Sequence, residues 1–208
     1  MDLKNEIRKL VPAGALDLLR MGRLAVEPLG DADLTVLFTD IDDYTALTDR
    51  LGDAAAREVV LVHDRIVRAV LFETGGREIK HTGDGIMACF ASASRAIQAA
   101  LAIQEGARAW NLEDGQPAQL RIAIGLNSGA PIVAGGDLFG TVVNVAARIT
   151  DCGAGGQVLV ADVVRLLAAG KGFVFRPVGA RALEGLAEPV PLFEVVWQEE
   201  ALEPMADG

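Results

Sequence analysis

The stretch Arg77-Glu78-Ile79-Lys80-His81-Thr82-Gly83-Asp84-Gly85-Ile86-Met87-Ala88-Cys89-Phe90 carries the plainest structural signal in the chain. Residues 77–80 and 86–90 read as two short strands, joined by the tight turn His81-Thr82-Gly83-Asp84-Gly85. Upstream, Leu34-Thr35-Val36-Leu37-Phe38 is apolar without alternation, which predicts a strand buried on both faces. An acidic cluster, Asp40 to Asp43, then precedes a long helix with Val59, Val62, Ile66 and Val70 in one core-facing stripe. Gly75-Gly76 ends that helix.

Downstream of the hairpin, Ala93, Ala96, Ala100, Ile103, Ala107 and Trp110 share one face of a second helix. Residues 120–126 and 131–134 bracket Asn127-Ser128-Gly129, predicting a second hairpin. A helix over 141–150, a strand over 158–160, a helix from Asp162 and two strands near 173–178 and 190–197 complete the pattern. The order β-α-β-β-α-β from 34 to 134 predicts an α+β fold. Its core is a ferredoxin-like βαββαβ unit, two helices over one face of an antiparallel sheet, with a C-terminal α/β extension. Residues 1–30 read as a short leader, with Leu16, Leu18 and Leu19 in a helical piece, residues 31–197 as one domain, and residues 198–208 as a disordered acidic tail.

The 208 residues are 51% apolar and 23% charged, enough to bury a core without staples. With 29 acidic against 19 basic residues, the net charge of −10 argues against sequence-independent binding to nucleic acid or anionic lipid. Two cysteines, Cys89 and Cys152, are too few for a disulfide framework. No run approaches 18 uncharged apolar residues, and the N-terminus lacks the apolar segment of a signal peptide. The expectation is a soluble, cytoplasmic domain with no nucleic-acid partner and no membrane insertion.

Three places are able to carry chemistry. Asp40 ends an apolar strand and Asp84 tips the Gly-Asp-Gly turn, and in a ferredoxin-like sheet these two points are neighbours. Two carboxylates held on strand ends suit Mg²⁺, which takes one or two and leaves room for substrate phosphates. Alternatively, Asp40 caps the next helix and Asp84 is turn chemistry. In the segment 137–148, Val142, Val145, Ala146 and Ile149 form a buried face, while Asn144 and Arg148 stack at i and i+4 on another. That polar pair is either a solvated surface or a presented site. Lys80, four residues before Asp84, sits where an edge lysine is often simply solvated. His63 and His81 lack metal-ligand spacing, and His63 reads as a helix residue with its ring partly out. Arg165 stands where a phosphate-cradling loop ending at Lys171 needs glycine.

Together, Phe38-Thr39-Asp40-Ile41 with Tyr44-Thr45, Lys80-His81-Thr82-Gly83-Asp84-Gly85, and Asp137-Leu138-Phe139-Gly140 with Asn144-Val145-Ala146-Ala147-Arg148 resemble the class III nucleotidyl cyclase catalytic domain. The resemblance runs from about Leu34 to Val196 and implies that family's palm fold. It implies metal binding by Asp40, Asp84 and the carbonyl of Ile41, with two divalent cations, Mg²⁺ or Mn²⁺. It implies purine reading by Lys80 and Asp137, ribose orientation by Asn144, substrate contact at Thr45, and transition-state stabilisation by Arg148. It further implies a head-to-tail homodimer with two composite sites, and coupling to an upstream regulatory domain or protein. Adenine offers an acceptor at N1 and a donor at its 6-amino group, which match a donor-only lysine and an acceptor-only aspartate. ATP is therefore the expected substrate and cyclic AMP the product of an adenylate cyclase. The alternative is a non-catalytic cyclase-homology module that dimerises or binds nucleotide.

Two positions depart from the family pattern. Asp43 stands where a glycine often precedes the aromatic residue, and Glu184 replaces the lysine of a common Leu-Lys-Gly. The first brings Asp42 and Asp43 near the triphosphate or solvent; the second bears on the level of activity.

Overall fold

The computed structural model describes residues 33–197; the expected leader and acidic tail lie outside them. In chain order the elements are β1 (Leu34–Ile41), α1 (Tyr44–Leu51), α2 (Asp53–Thr74), β2 (Arg77–His81), β3 (Ile86–Phe90), α3 (Ala93–Asn111) and β4 (Ile122–Gly129). There follow β5 (Ile132–Ala134), β6 (Asp137–Phe139), α4 (Thr141–Asp151), β7 (Val158–Ala161), α5 (Asp162–Leu167), β8 (Val174–Arg181) and β9 (Val190–Val196). The main sheet runs β2-β3-β1-β4-β7-β9-β8. Its first four strands are antiparallel neighbours, which is the expected ferredoxin-like order. Strand β7 adds to β4 in parallel, and β8 and β9 extend the sheet as the C-terminal addition.

The sheet has a core on each face, which explains why β1 is apolar at nearly every position. Leu37, Ile41, Ile86, Ala88 and Phe90 pack against α2 and α3. Leu34, Val36, Met87 and Cys89 face the other way, against Val142, Val143 and Ala146 of α4. Helix α4 lies close because Gly125 has no side chain. A Cβ there would strike the Thr150 Oγ1 and backbone nitrogen and the Ala146 carbonyl. Asn127, buried in β4, donates from Nδ2 to the Val142 carbonyl at 3.1 Å and anchors the same helix.

Three local expectations need correction. Asn127-Ser128-Gly129 is not a turn. It continues β4, opposite Val36, Thr35 and Leu34. Turn chemistry gives way because β1 offers a full ladder of partners, reinforced by a 2.8 Å hydroxyl pair between Thr35 and Ser128. The second hairpin is β5–β6, closed by Gly135-Gly136 with Ala134 opposite Asp137. The single long helix is two, broken at Gly52 (φ 78°). Finally, the fully buried line of α2 is Val59, His63, Val67 and Leu71, with Val62, Ile66 and Val70 half-buried beside it. The ring of His63 is 0% exposed, not partly out. A polar ring is tolerated there because both its nitrogens find partners.

Candidate active site

Strand alternation puts Thr39 on the α2 face of the sheet and Asp40 on the α4 face. Asp40 is not a helix cap: the residue before α1 is Asp43, and its side chain makes no capping hydrogen bond. Asp84 reaches Asp40 from the β2–β3 turn, whose approach needs Gly85, since a Cβ there would collide with the Thr39 carbonyl. Burial, then the charge and hydrogen bond of Asp84, push the Asp40 carboxyl from 3.8 up to about 6.

Two facing carboxylates with no ion-pair partner among the described residues form a charge deficit that a hard cation can fill. Among the described residues no group of three or more His, Cys, Asp or Glu side chains could hold a metal ion. The available donor set is therefore a carboxylate pair, which fits Mg²⁺ or Mn²⁺ retaining water and substrate oxygens rather than a metal caged by protein.

Lys80 reaches its position through a β-bulge. Glu78 lies opposite Ala88, but Lys80 lies opposite Met87, so Ile79 is the extra residue. The bulge turns Lys80 onto the α4 face and His81 onto the α2 face. There Lys80 Nζ donates to Asp137 Oδ2 at 2.7 Å and sits 5.7 Å from the Phe139 ring centre. The hydrogen bond from Lys80, with a second from the Leu138 backbone N–H at 2.8 Å, holds the Asp137 carboxyl below its usual range.

Asn144 and Arg148 are exposed on α4, away from its buried Val142, Val145, Ala146 and Ile149. Arg148 donates to Asp151 Oδ2 at 3.1 Å and to Glu184 Oε2 at 2.7 Å. Asn144, Arg148 and Glu184 rim a depression of only about 70 Å³. Thr45 is exposed in the first turn of α1, near a cleft of about 430 Å³ lined by Asp42, Asp43, Arg50 and Arg121. Asp42 is drawn toward Arg121 at 3.3 Å. The structure thus brings together Asp40 with Asp84, and Lys80 with Asp137, and places Asn144 beside Arg148. The sequence did not foretell that His63 and His81 both hydrogen-bond Asp64 behind the Asp40 strand. The signal was the i, i+4, i+8 series Val59, His63, Val67.

A sequence-family model described as the adenylate and guanylate cyclase catalytic domain matches residues 27–195. The chain belongs to this family. This cyclase domain is 33% identical over 174 residues to an uncharacterized protein of Mycobacterium tuberculosis, covering 80% of this chain and 43% of that one. It is 32% identical over 183 residues to a pH-sensitive adenylate cyclase of the same species, covering 83% and 43%. The chain therefore spans less than half the length of these curated relatives. Among solved structures, the adenylate/guanylate cyclase/hydrolase from Silicibacter pomeroyi superposes with a TM-score of 0.72 at 26% identity, covering 79% of this chain and 96% of that one. The class III cyclase fold expected from the three motifs is the fold observed. No helix among the described residues is long and apolar enough to cross a membrane.

Proposed function

We propose that this cyclase domain, assigned to residues 31–197, converts ATP to cyclic AMP and pyrophosphate at composite sites of a head-to-tail homodimer in the cytoplasm. The observation that carries the choice of base is the 2.7 Å pair of Lys80 and Asp137. A donor-only group beside an acceptor-only group matches N1 and the 6-amino group of adenine. Guanine, with N1–H and a carbonyl O6, reverses both contacts and leaves each group facing its like.

Asp40 and Asp84, with the Ile41 carbonyl, would hold the divalent cations. When bound, these supply a Lewis acid for the ribose 3′-hydroxyl and positive charge for the leaving pyrophosphate. The 3′-oxygen bonds to the α-phosphorus as the bond to the β-phosphate bridging oxygen breaks, and the hydroxyl proton leaves to solvent. Asn144 orients the ribose, Thr45 contacts the substrate, and Arg148 presents its fork to the phosphoryl oxygens as charge moves outward.

Two observations support a site shared between copies. The 70 Å³ depression beside Asn144 and Arg148 is far below the ~300–1,000 Å³ of a small-molecule site. The β5–β6 hairpin next to Asp137 exposes Ile132 and Phe139, an apolar pair suited to burial against a partner. The leader, residues 1–30, would connect the domain to an upstream regulator.

The deciding experiment incubates purified protein with ATP or GTP and Mg²⁺ or Mn²⁺ and identifies the products. Cyclic AMP from ATP is expected, and no cyclic product with either metal overturns the catalytic reading in favour of a nucleotide-binding module. Asp84→Ala and Arg148→Ala should each be inactive and regain activity when mixed; silence after subunit exchange refutes the shared site. Lys80→Glu with Asp137→Cys should erode the preference for ATP.

A further inference from the structure

On the face of the sheet opposite Asp40, a chain of hydrogen bonds converges on one buried carboxylate. Asp64 Oδ1 is 3.1 Å from His63 Nδ1 and 3.1 Å from His81 Nε2, while Arg68 Nη1 donates to Oδ2 at 3.0 Å. The donor inventory fixes the polarity of the links to Asp64. The Gly83 N–H donates to His81 Nδ1 at 3.1 Å, so the other nitrogen, Nε2–H, donates to Asp64. An ionised Asp64 accepts only, so His63 donates from Nδ1–H, while its Nε2 shares a hydrogen bond with the Thr39 hydroxyl at 2.9 Å; that hydroxyl also lies 3.4 Å from the Ile86 carbonyl. Thr39 Oγ1 in turn accepts the Ile86 backbone N–H at 2.9 Å, tying β1 to β3. Burial pushes the Asp64 carboxyl up, but the His63 hydrogen bond and the charge of Arg68 outweigh it and keep Asp64 ionised.

The two arms of this network end on either side of the carboxylate pair. One ends at Thr39, the residue before Asp40; the other ends at Gly83, the residue before Asp84. Arg68, itself gripped by Glu78 at 2.8 and 2.9 Å, sets the hub against β2. We propose that Asp64 is the positioning residue for the Asp40–Asp84 pair, acting through His63 and Thr39 on one strand and through His81 on the adjoining turn. This rests on the reading of Asp40 and Asp84 as metal ligands. This network holds the backbone that carries the ligands, which would otherwise swing apart by repulsion; loss of outer partners costs about 10–100-fold in metal affinity.

The test is Mn²⁺ binding to the nucleotide-free protein, read from the electron paramagnetic resonance signal of unbound Mn²⁺, at a temperature well below each variant's melting point. The parent should bind Mn²⁺ and Asp84→Asn should not; if Asp84→Asn binds like the parent, the metal-ligand reading fails, and this inference with it. Given that control, Thr39→Val, Asp64→Asn and the surface variant His81→Phe should each weaken binding about tenfold or more. Thr39→Ser, which keeps the hydroxyl, should bind like the parent. A merely structural network would lower melting temperatures and leave Mn²⁺ affinity alone. Affinity within threefold of the parent in Thr39→Val or His81→Phe overturns the proposal. If Thr39→Val fails to fold, the exposed His81→Phe decides.

Discussion

Arg148 Nη2 lies 2.7 Å from Glu184 Oε2, across the shallow depression that also holds Asn144. The pair is exposed, and such pairs are worth about 0.2–1 kcal/mol. In the proposed role, Glu184 competes with a phosphoryl oxygen for the guanidinium. Glu184→Gln should therefore raise kcat/KM, by up to about fivefold, through the release of that hold. A steady-state assay checks it; a fall in kcat would show that Glu184 orients Arg148 and does not compete for it.

The Asp40–Asp84 pair predicts opposite effects on stability and activity. The folded-state Asp40 carboxyl is raised to about 6 from 3.8, so the fold binds its proton more tightly than the unfolded chain does. The sign follows by linkage: the penalty, set first by burial and then by Asp84, is absent at low pH, grows as pH rises from about 4 to 6, and is fully present above 6. Asp84→Asn should abolish activity yet raise the melting temperature of metal-free protein at pH 7.5, with little change at pH 4. Mn²⁺ should stabilise the parent more at pH 7.5 than at pH 5, because below 6 a proton competes for Asp40. Melting curves at these pH values, with and without metal, measure both.

Asp43 has φ 58° and ψ 37°, and among the described residues no other non-glycine residue has a positive φ. The position where the family resemblance led us to expect glycine is thus a left-handed one, occupied here by a tolerant but strained residue. Asp43→Gly should gain up to about 1 kcal/mol, seen as a higher urea midpoint at unchanged slope. A lower midpoint would mean that the Asp43 carboxylate stabilises the first turn of α1.

Gly125 sets the distance between β4 and the helix carrying Asn144 and Arg148. Gly125→Ala must push α4 outward, at about 1–3 kcal/mol for overpacking. Because Lys80 and Asp137 stand on β2 and β6, turnover should fall while the preference for ATP over GTP persists. Paired denaturation and competition assays test this; unchanged turnover would show that α4 moves without consequence.

Much of this fold was legible because its signals are local. The Gly83-Asp84-Gly85 turn, the doubly apolar β1 and the helix with Ala93 and Trp110 each announce their state within a few residues, and the β2–β3 hairpin forms where its residues predict. The expected second hairpin failed for the complementary reason. Asn127-Ser128-Gly129 has turn chemistry, but a distant strand supplies its partners, and no local rule registers a neighbour some 90 residues away. His63 failed likewise: its burial depends on Thr39, a residue on another element.

Motif spacing and hydrophobic periodicity are properties of the chain, so the family, the βαββαβ order of the core and the polar residues available for chemistry could be read from it alone. Which of those residues meet depended on the folded arrangement. One inserted residue, Ile79, rotates Lys80 toward Asp137 and His81 toward Asp64. Strand alternation sends Asp40 to one face and Thr39 to the other. Folding brings Glu184 to Arg148 from 36 positions away. Each of these pairings depends on register and packing between distant segments, and a linear pattern does not contain that information.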